Sequence, residues 1–234
     1  PSAPLGLVLV DDPHTDAEDA RGSYLVFRKL RQDVAGFNAQ VSALATRLAV
    51  DQPLAGALVV GRFKDGTPVT RSPHDGQGAV NDFTYLPDDP IGNRCPFQGH
   101  IRKANQRGSN AVLGLEEERK RRIVRRGITY GLRDGGEVGL LFQCFQSDIA
   151  RQFEFIQRTW ADNPNFPEFL IIPGLNTGDD ALIGQHPRAI QRWPREWGRS
   201  GRFWRRRLFN FGGHIGLRGG EYFFTPSLPF LRGL

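Results

Sequence analysis

The chain has 234 residues and a formal net charge of +6; 39% of its residues are hydrophobic and 24% are charged. That is an ordinary globular balance in a chain long enough to bury a core, and Gly and Pro, though frequent, are not periodic, which excludes a collagen-like or disordered chain. The positive excess is mostly Arg, between Arg102 and Arg133 and again between Arg192 and Arg207, and it leaves two readings at even weight: an acidic partner, or a solvated basic surface.

In chain order, Pro1 to Arg21 is rich in Pro, Asp and Ala and reads as an extended arm. Ser23 to Leu30 clusters β-formers and is predicted as a strand. Val34, Phe37, Val41, Leu44 and Leu48 fall at helical spacing, so an amphipathic helix is predicted over Asp33 to Ala49, with a second over Pro53 to Val60. Residues 61 to 94 are dense in Gly, Pro, Asp and Asn and read as a long irregular segment with a job to do. Cys95 to Gly139 is expected to be mostly loop, apart from a helix-like run from Leu115 to Arg122 with acidic residues first and basic ones last. Val138 to Phe145 is the second strand. Asp148 to Trp160 is a helix carrying Ile149, Phe153, Ile156 and Trp160 on one face, stopped by Asn163-Pro164. Gly184 to Arg207 reads as an Arg-rich loop, and Gly219 to Leu228 as a short aromatic strand or extended segment. Strand followed by helix thus occurs twice, which fits an α+β domain with helices packed on one sheet.

Cys95 and Cys144 are far apart and neither lies in a CxxC; one disulfide is open, and two buried thiols is the favoured reading. No run approaches a membrane span and no signal-peptide pattern opens the chain. The chain holds no Met and begins with Pro1, from which a processed or trimmed piece is expected. Zinc, P-loop, nucleophile-elbow and dinucleotide-binding motifs are missing. The turn Gly61 to Gly66 reads as a tight loop. His14 and His74 lie in polar loops, and His186 and His214 lie in Gly-rich stretches without a partner at ligand spacing. His100 differs. Gly99 before it leaves room for a bulky neighbour, and Arg102, Lys103 and Arg107 follow within seven residues, suited to acidic groups such as propionates. A lone His in that setting can be an axial haem ligand, although on residue chemistry alone this is the minority reading.

Among Arg121, Arg122, Arg125 and Arg126, the flanking Ile123 and Val124 predict that at least one Arg points inward. Between Arg192 and Arg207 the arginines interleave with Trp193, Trp197, Phe203 and Trp204. This is the best local case for nucleic acid, but Trp packing down while Arg stays wet is favoured. Nucleic-acid binding is therefore the disfavoured reading.

The segments Gly22 to Leu30, Val60 to Pro68, Asn81-Asp82-Phe83, Cys95-Pro96 with His100 to Asn105, Ile123 to Gly127 with Tyr130-Gly131, Gly139 to Phe142, Phe155 to Trp160 and Gly219 to Ser227 together resemble, in order, the dye-decolourising (DyP-type) haem peroxidases. The resemblance implies a ferredoxin-like α+β fold with an antiparallel sheet, helices on one side and long haem-binding loops. It implies an arm over 1–21 and a C-terminal haem-binding domain over 22–234, with the family's N-terminal half outside this chain. It implies haem b with His100 as proximal ligand, Arg125 as distal arginine, Leu140 and Phe142 lining the distal side, Asp180 as the acid behind the proximal His, and Arg107 as a propionate partner. The implied activity is peroxide-driven oxidation of dyes, phenols or other aromatic reductants through ferryl haem, with Trp160, Trp204 and Tyr222 as candidate surface relays. The alternative is a haem-binding or structural subunit without peroxidase activity. The family's distal Asp lies in a GxxDG motif of the first half, and that motif is read as absent from this chain. Asp65 is not assigned to that role, because Gly61 precedes it by four residues rather than three. The motif is therefore expected on a second polypeptide, as a separate product or a proteolytic fragment, and a higher oligomer stays open.

Overall fold

The computed structural model describes residues 4–108, 114–131, 136–167, 176–185, 190–199 and 206–234. In chain order the elements are β1 (Val10–Asp11), β2 (Arg21–Gln32), α1 (Val34–Leu48), α2 (Gln52–Val60), α3 (His100–Ala104), α4 (Gly114–Arg119), β3 (Val124–Arg125), β4 (Ile128–Gly131), β5 (Val138–Gln146), β6 (Arg192–Trp193), β7 (Arg207–Leu208), β8 (Ile215–Thr225) and α5 (Leu228–Arg232). Two π-helical turns, Ala150–Glu154 and Ile156–Ala161, follow β5. The chain divides into two compact units.

The first unit comprises Pro1–Gln32, Arg119–Phe155 and Ile215–Leu234. Its antiparallel sheet is built on β2, with β5 on one side and β8 on the other. β1 pairs with the start of β2, while β3 and β4 pair with the far side of β5. Directly opposed residues share a face, and successive residues alternate. Val26 lies opposite Cys144 and Tyr222, and Arg28 opposite Phe142, so these side chains share one face. There Phe153 packs on Val26 and Cys144 to form a small core. The other face carries Leu25, Phe27, Leu141, Phe145, Ile128 and Phe223. It is only partly covered: Ile128 is 61% and Phe223 48% exposed. A Cβ on Gly139 would lie 1.9 Å from the carbonyl oxygen of Leu30, so only glycine lets β5 start against β2.

The second unit comprises Asp33–Glu118 and Ile156–His214. Asp33 caps α1 by accepting from the Gly36 amide at 2.9 Å, and Asp51 caps α2 by accepting from the Leu54 amide at 2.8 Å, with Pro53 in the first turn. Val41, Leu44 and Leu48 of α1 meet Leu54, Ala55 and Leu58 of α2 in a core that also takes Phe63, Val69, Tyr85, Trp193 and Phe211. Residues 61–94 are irregular, as their composition predicts. They are not a solvated loop, however: Thr67, Val69, Thr70, Tyr85 and Asp89 are buried. Among the described residues no single helix is long and apolar enough to cross a membrane.

Several expectations change. The arm is not wholly irregular, because Val10 and Asp11 pair with Gly22 and Arg21. The predicted helix over Asp148 to Trp160 is two π turns, with Glu154 N bonding to Ile149 O and Asp162 N to Gln157 O, five residues back. Its apolar face is divided: Ile149 and Phe153 serve the first unit, Ile156 and Trp160 the second. The stretch read as loop from Cys95 to Gly139 holds α3, β3 and β4. They are two to five residues long, too short for a periodicity to register. The tail strand begins earlier, at Ile215.

Candidate functional site

His100 opens α3, after an extended Gly99 and a turn in which Gly99 N bonds to Pro96 O at 3.0 Å. The small size of Gly99 serves packing rather than a bulky visitor: a Cβ there would sit 3.1 Å from both the Leu58 and Pro96 carbonyl oxygens. The loop before α3 is organised by Asp89. Its carboxylate accepts from the Asn93, Arg94 and Cys95 amides at 2.7, 3.1 and 2.8 Å and pairs with Arg102 at 2.9 Å. Arg102, wholly buried, also donates to Cys95 O and Asp89 O, and its guanidinium lies between the Tyr85 and Phe97 rings. A buried pair is tolerable only with further hydrogen bonds, and here Asp89 has its three amides and Arg102 its two carbonyls, although Arg102 Nε is left without a partner among the described residues.

Asp180 approaches from the other part of the second unit. Its backbone N–H bonds to Ala161 O at 3.0 Å, and Ala181 N bonds to Gln98 O at 3.0 Å, which fixes this strand of chain beside α3. Asp180 Oδ1 accepts from the Leu182 and Ile183 amides at 2.8 and 3.0 Å, closing a turn on itself. Oδ2 lies 2.8 Å from His100 Nδ1. Asp180 is buried and His100 is 21% exposed. Burial raises the Asp180 pKa, but the charge and hydrogen bond of His100 and the two amides outweigh it, so the carboxyl is held below its ordinary value. A buried carboxylate on Nδ1 fixes that nitrogen as the protonated one and directs a metal to Nε2. Among the described residues no three His, Cys, Asp or Glu cluster as a metal site. A single carboxylate-backed His therefore suits a metal that brings its other ligands with it, which is the ligand demand of haem.

The other predicted residues fall in two places. Arg125 on β3 lies opposite Cys144, and Leu140 and Phe142 alternate with Cys144 along β5. The sheet thus brings Arg125, Leu140 and Phe142 to one face of the first unit. Arg125 is exposed and both apolar residues are half-buried. Arg107, in the second unit, has φ 44° and donates through Nη1 to Asn81 O at 3.0 Å, with its guanidinium 4.2 Å from the Phe83 ring centre.

The three cations after His100 do not form the open cluster that their spacing suggests. Arg102 is bound to Asp89, and Lys103 is wholly buried, donating to Asn163 O at 2.7 Å and Phe166 O at 2.5 Å. Lys103 was noted only as one of three cations suited to propionates, and its buried contacts were not foreseen; their one sign is the i, i+3 spacing to His100, visible only once α3 is known. Asp65 closes a loop: its carboxylate accepts from Thr67 N, Thr67 Oγ1, Gly76 N and Gly78 N. Of the four arginines of which at least one was expected to point inward, Arg121 stacks on Phe155 and donates to Arg151 O, while Arg125 and Arg126 stay exposed. Trp193 and Trp197 pack down, donating to Phe209 O and Val69 O. Trp160 is buried and stacked on Phe166, and Tyr222 bonds to Glu154. Both cysteines are buried free thiols. His186, Phe203 and Trp204 lie outside the described residues. One sequence expectation needs correcting: Gly131-Leu132-Arg133-Asp134-Gly135 does have the GxxDG spacing. It follows the Arg125 segment instead of lying in a preceding half, and residues 132–135 are outside the described residues.

A family model for the C-terminal part of Dyp-type peroxidases matches residues 5–169. The chain is 44% identical to a multifunctional dye peroxidase of Amycolatopsis sp. over 100% of its own length and 53% of that protein's. It is 32% identical to a dye-decolorizing peroxidase of Auricularia auricula-judae, covering 91% of this chain and 46% of the relative. The crystal structure of an Anabaena sp. DyP-type peroxidase superposes with a TM-score of 0.88 at 44% identity, over 99% of this chain and 50% of that one. The chain therefore spans about half the length of the curated relatives it matches.

Proposed function

The chain belongs to the Dyp-type peroxidases, as the C-terminal half of such a protein with that family's antiparallel α+β fold and haem cofactor, and from that premise we propose that it holds haem b through His100 and takes part in peroxide-driven oxidation of dyes, phenols or other aromatic reductants. The observation that carries this reading is the 2.8 Å contact between His100 Nδ1 and the buried Asp180 carboxylate. Haem b, held without covalent attachment, fits a chain whose two cysteines are buried and in no CxxCH motif.

In this reading haem supplies the redox centre at which peroxide is reduced and the aromatic reductant is oxidised. The work of this chain is to bind, orient and polarise. His100 would ligate through Nε2 while Asp180 holds the proton on Nδ1 and raises the basicity of the ring. Arg125 would place a fixed positive charge against the negative charge that develops on the departing peroxide oxygen. Leu140 and Phe142, on the same sheet face, would keep that side apolar. Arg107 would reach a propionate by exchanging its bonds to the Asn81 and Phe83 carbonyls. The domain from residue 22 to 234 would act as one haem-binding piece, preceded by the arm.

Proton transfer at peroxide needs an acid–base group. We assign it to an aspartate of a GxxDG motif on a second polypeptide, the N-terminal half. The partly exposed apolar face of the first unit, with Leu25, Phe27, Ile128 and Phe223, supports such a partner, since contiguous apolar faces of this kind mark association sites.

The test is a haem spectrum and peroxide turnover with a dye or phenol, measured on the full chain alone and with any co-purifying polypeptide. Turnover that requires the second polypeptide supports the reading. Turnover by the chain alone that is lost in Asp134→Asn would place the acid here instead. Haem binding without turnover in either sample would make this a haem-binding subunit.

A further inference from the structure

We propose that Lys103 is a positioning residue that sets the contact between Asp180 and His100 by tying α3 to the chain segment that carries Asp180. The proposal rests on the reading of His100 as the haem ligand. A closed ring of bonds supports it. Lys103 lies one helical turn after His100 on α3, and its Nζ donates to Asn163 O and Phe166 O at 2.7 and 2.5 Å. Phe166 O also accepts from Thr177 Oγ1 at 2.7 Å, and Pro164 O accepts from Thr177 N, Thr177 Oγ1 and Gly178 N. Thr177 and Gly178 lead straight to Asp180, whose Oδ2 returns to His100. Every member of this ring lies in the second unit.

A cation is an expensive choice for a purely mechanical clamp, because an ammonium in a dry site loses its hydration. Burial pushes the Lys103 pKa down to about 7, opposed by the negative charges of Asp180, Asp179 and Asp162. Against that burial the site offers the ammonium two carbonyl acceptors, three nearby carboxylates, and the Phe166 ring with its centre 5.8 Å from Nζ. Phe166 is in turn stacked on Trp160 at 5.7 Å. Cutting the ring at Lys103 would free Asn163 to Phe166, and with them Thr177 and Gly178, to shift and lengthen the Asp180–His100 contact.

The two effects of removing Lys103 have opposite signs in a haem-loaded chain. Loss of a nearby positive charge alone would move the Fe(III)/Fe(II) potential negative. A weakened carboxylate bond to the proximal imidazole makes the ligand less basic and moves the potential positive. Measured on the haem-reconstituted full chain, Lys103→Met is expected to keep a histidine-ligated spectrum. Its potential should shift positive and its ferrous iron–histidine stretching band should move to lower frequency. Asp180→Asn should shift both in the same directions, and the double variant should add nothing further. Thr177→Val removes the two Oγ1 bonds, to Phe166 O and Pro164 O, while leaving the charge and the backbone bonds in place; it weakens the ring at a second point and should show smaller shifts of the same signs, so the proposal stays testable even where Lys103→Met does not fold. A negative shift, or none in either variant, overturns the proposal. Failure of the underlying reading would look different: His100→Ala would then retain the wild-type ligation spectrum.

Discussion

Asp65 and Asp180 are both aspartates that fold a turn onto their own carboxylates, yet only Asp180 has a His within reach. Four donors from Thr67, Gly76 and Gly78 surround Asp65. The Thr67 amide first, then its hydroxyl and the Gly76 amide, hold its pKa at about 2, against an ordinary 3.8. A carboxyl depressed in the folded state contributes stability that is present above its unfolded pKa and is lost as pH falls through the folded one. The melting-temperature difference between wild type and Asp65→Asn should therefore be constant above pH 5 and close as pH falls from about 4 towards about 2; a difference independent of pH would refute this assignment. Arg102 calls for a different measurement. Arg102→Leu leaves Asp89 buried without its counter-ion and should cost about 3–5 kcal/mol, read as a lower urea midpoint at unchanged slope. Loss below about 1 kcal/mol would mean that the three backbone amides suffice for Asp89.

At the scale of elements, the long periodic pieces were legible. α1 lies where its apolar spacing places it, α2 within a residue of the predicted Pro53 to Val60, and β2 and β5 over the predicted strands. What was not legible was short or depended on a partner. α3 spans five residues with a capping glycine that offers no side-chain bond, so nothing local announces it. Its existence depends on the Asp89–Arg102 pair and on α2, contacts distant in sequence. His100, Asp180 and Arg125 were given their roles through the family resemblance; their spacing in the chain says nothing of the 2.8 Å contact or of the sheet face shared by Arg125, Leu140 and Phe142. Lys103 was read as one of three cations suited to propionates because burial is not visible in a basic run. The close seating of α3 on α2 gives a prediction at this scale. Gly99→Ala forces a methyl against two carbonyl oxygens and should cost about 1–3 kcal/mol in chemical denaturation. A neutral effect would mean that the α2–α3 contact relaxes freely.

At the scale of the whole molecule, the sheet of the first unit has one face packed by Phe153 and another that leaves Ile128 and Phe223 largely exposed. If that second face receives the N-terminal half, Phe223→Lys should weaken the association at least about tenfold, measured by titrating the two polypeptides, because apolar anchors at the centre of an interface carry much of its energy. An unchanged affinity would put the partner elsewhere. The account as a whole depends on one bond from this chain to iron. The measurement that reaches it is resonance Raman of the ferrous, haem-loaded full chain, wild type against His100→Ala, with and without added imidazole. The account predicts an iron–histidine stretching band that disappears in His100→Ala and returns with imidazole. A band that persists unchanged in His100→Ala would contradict it.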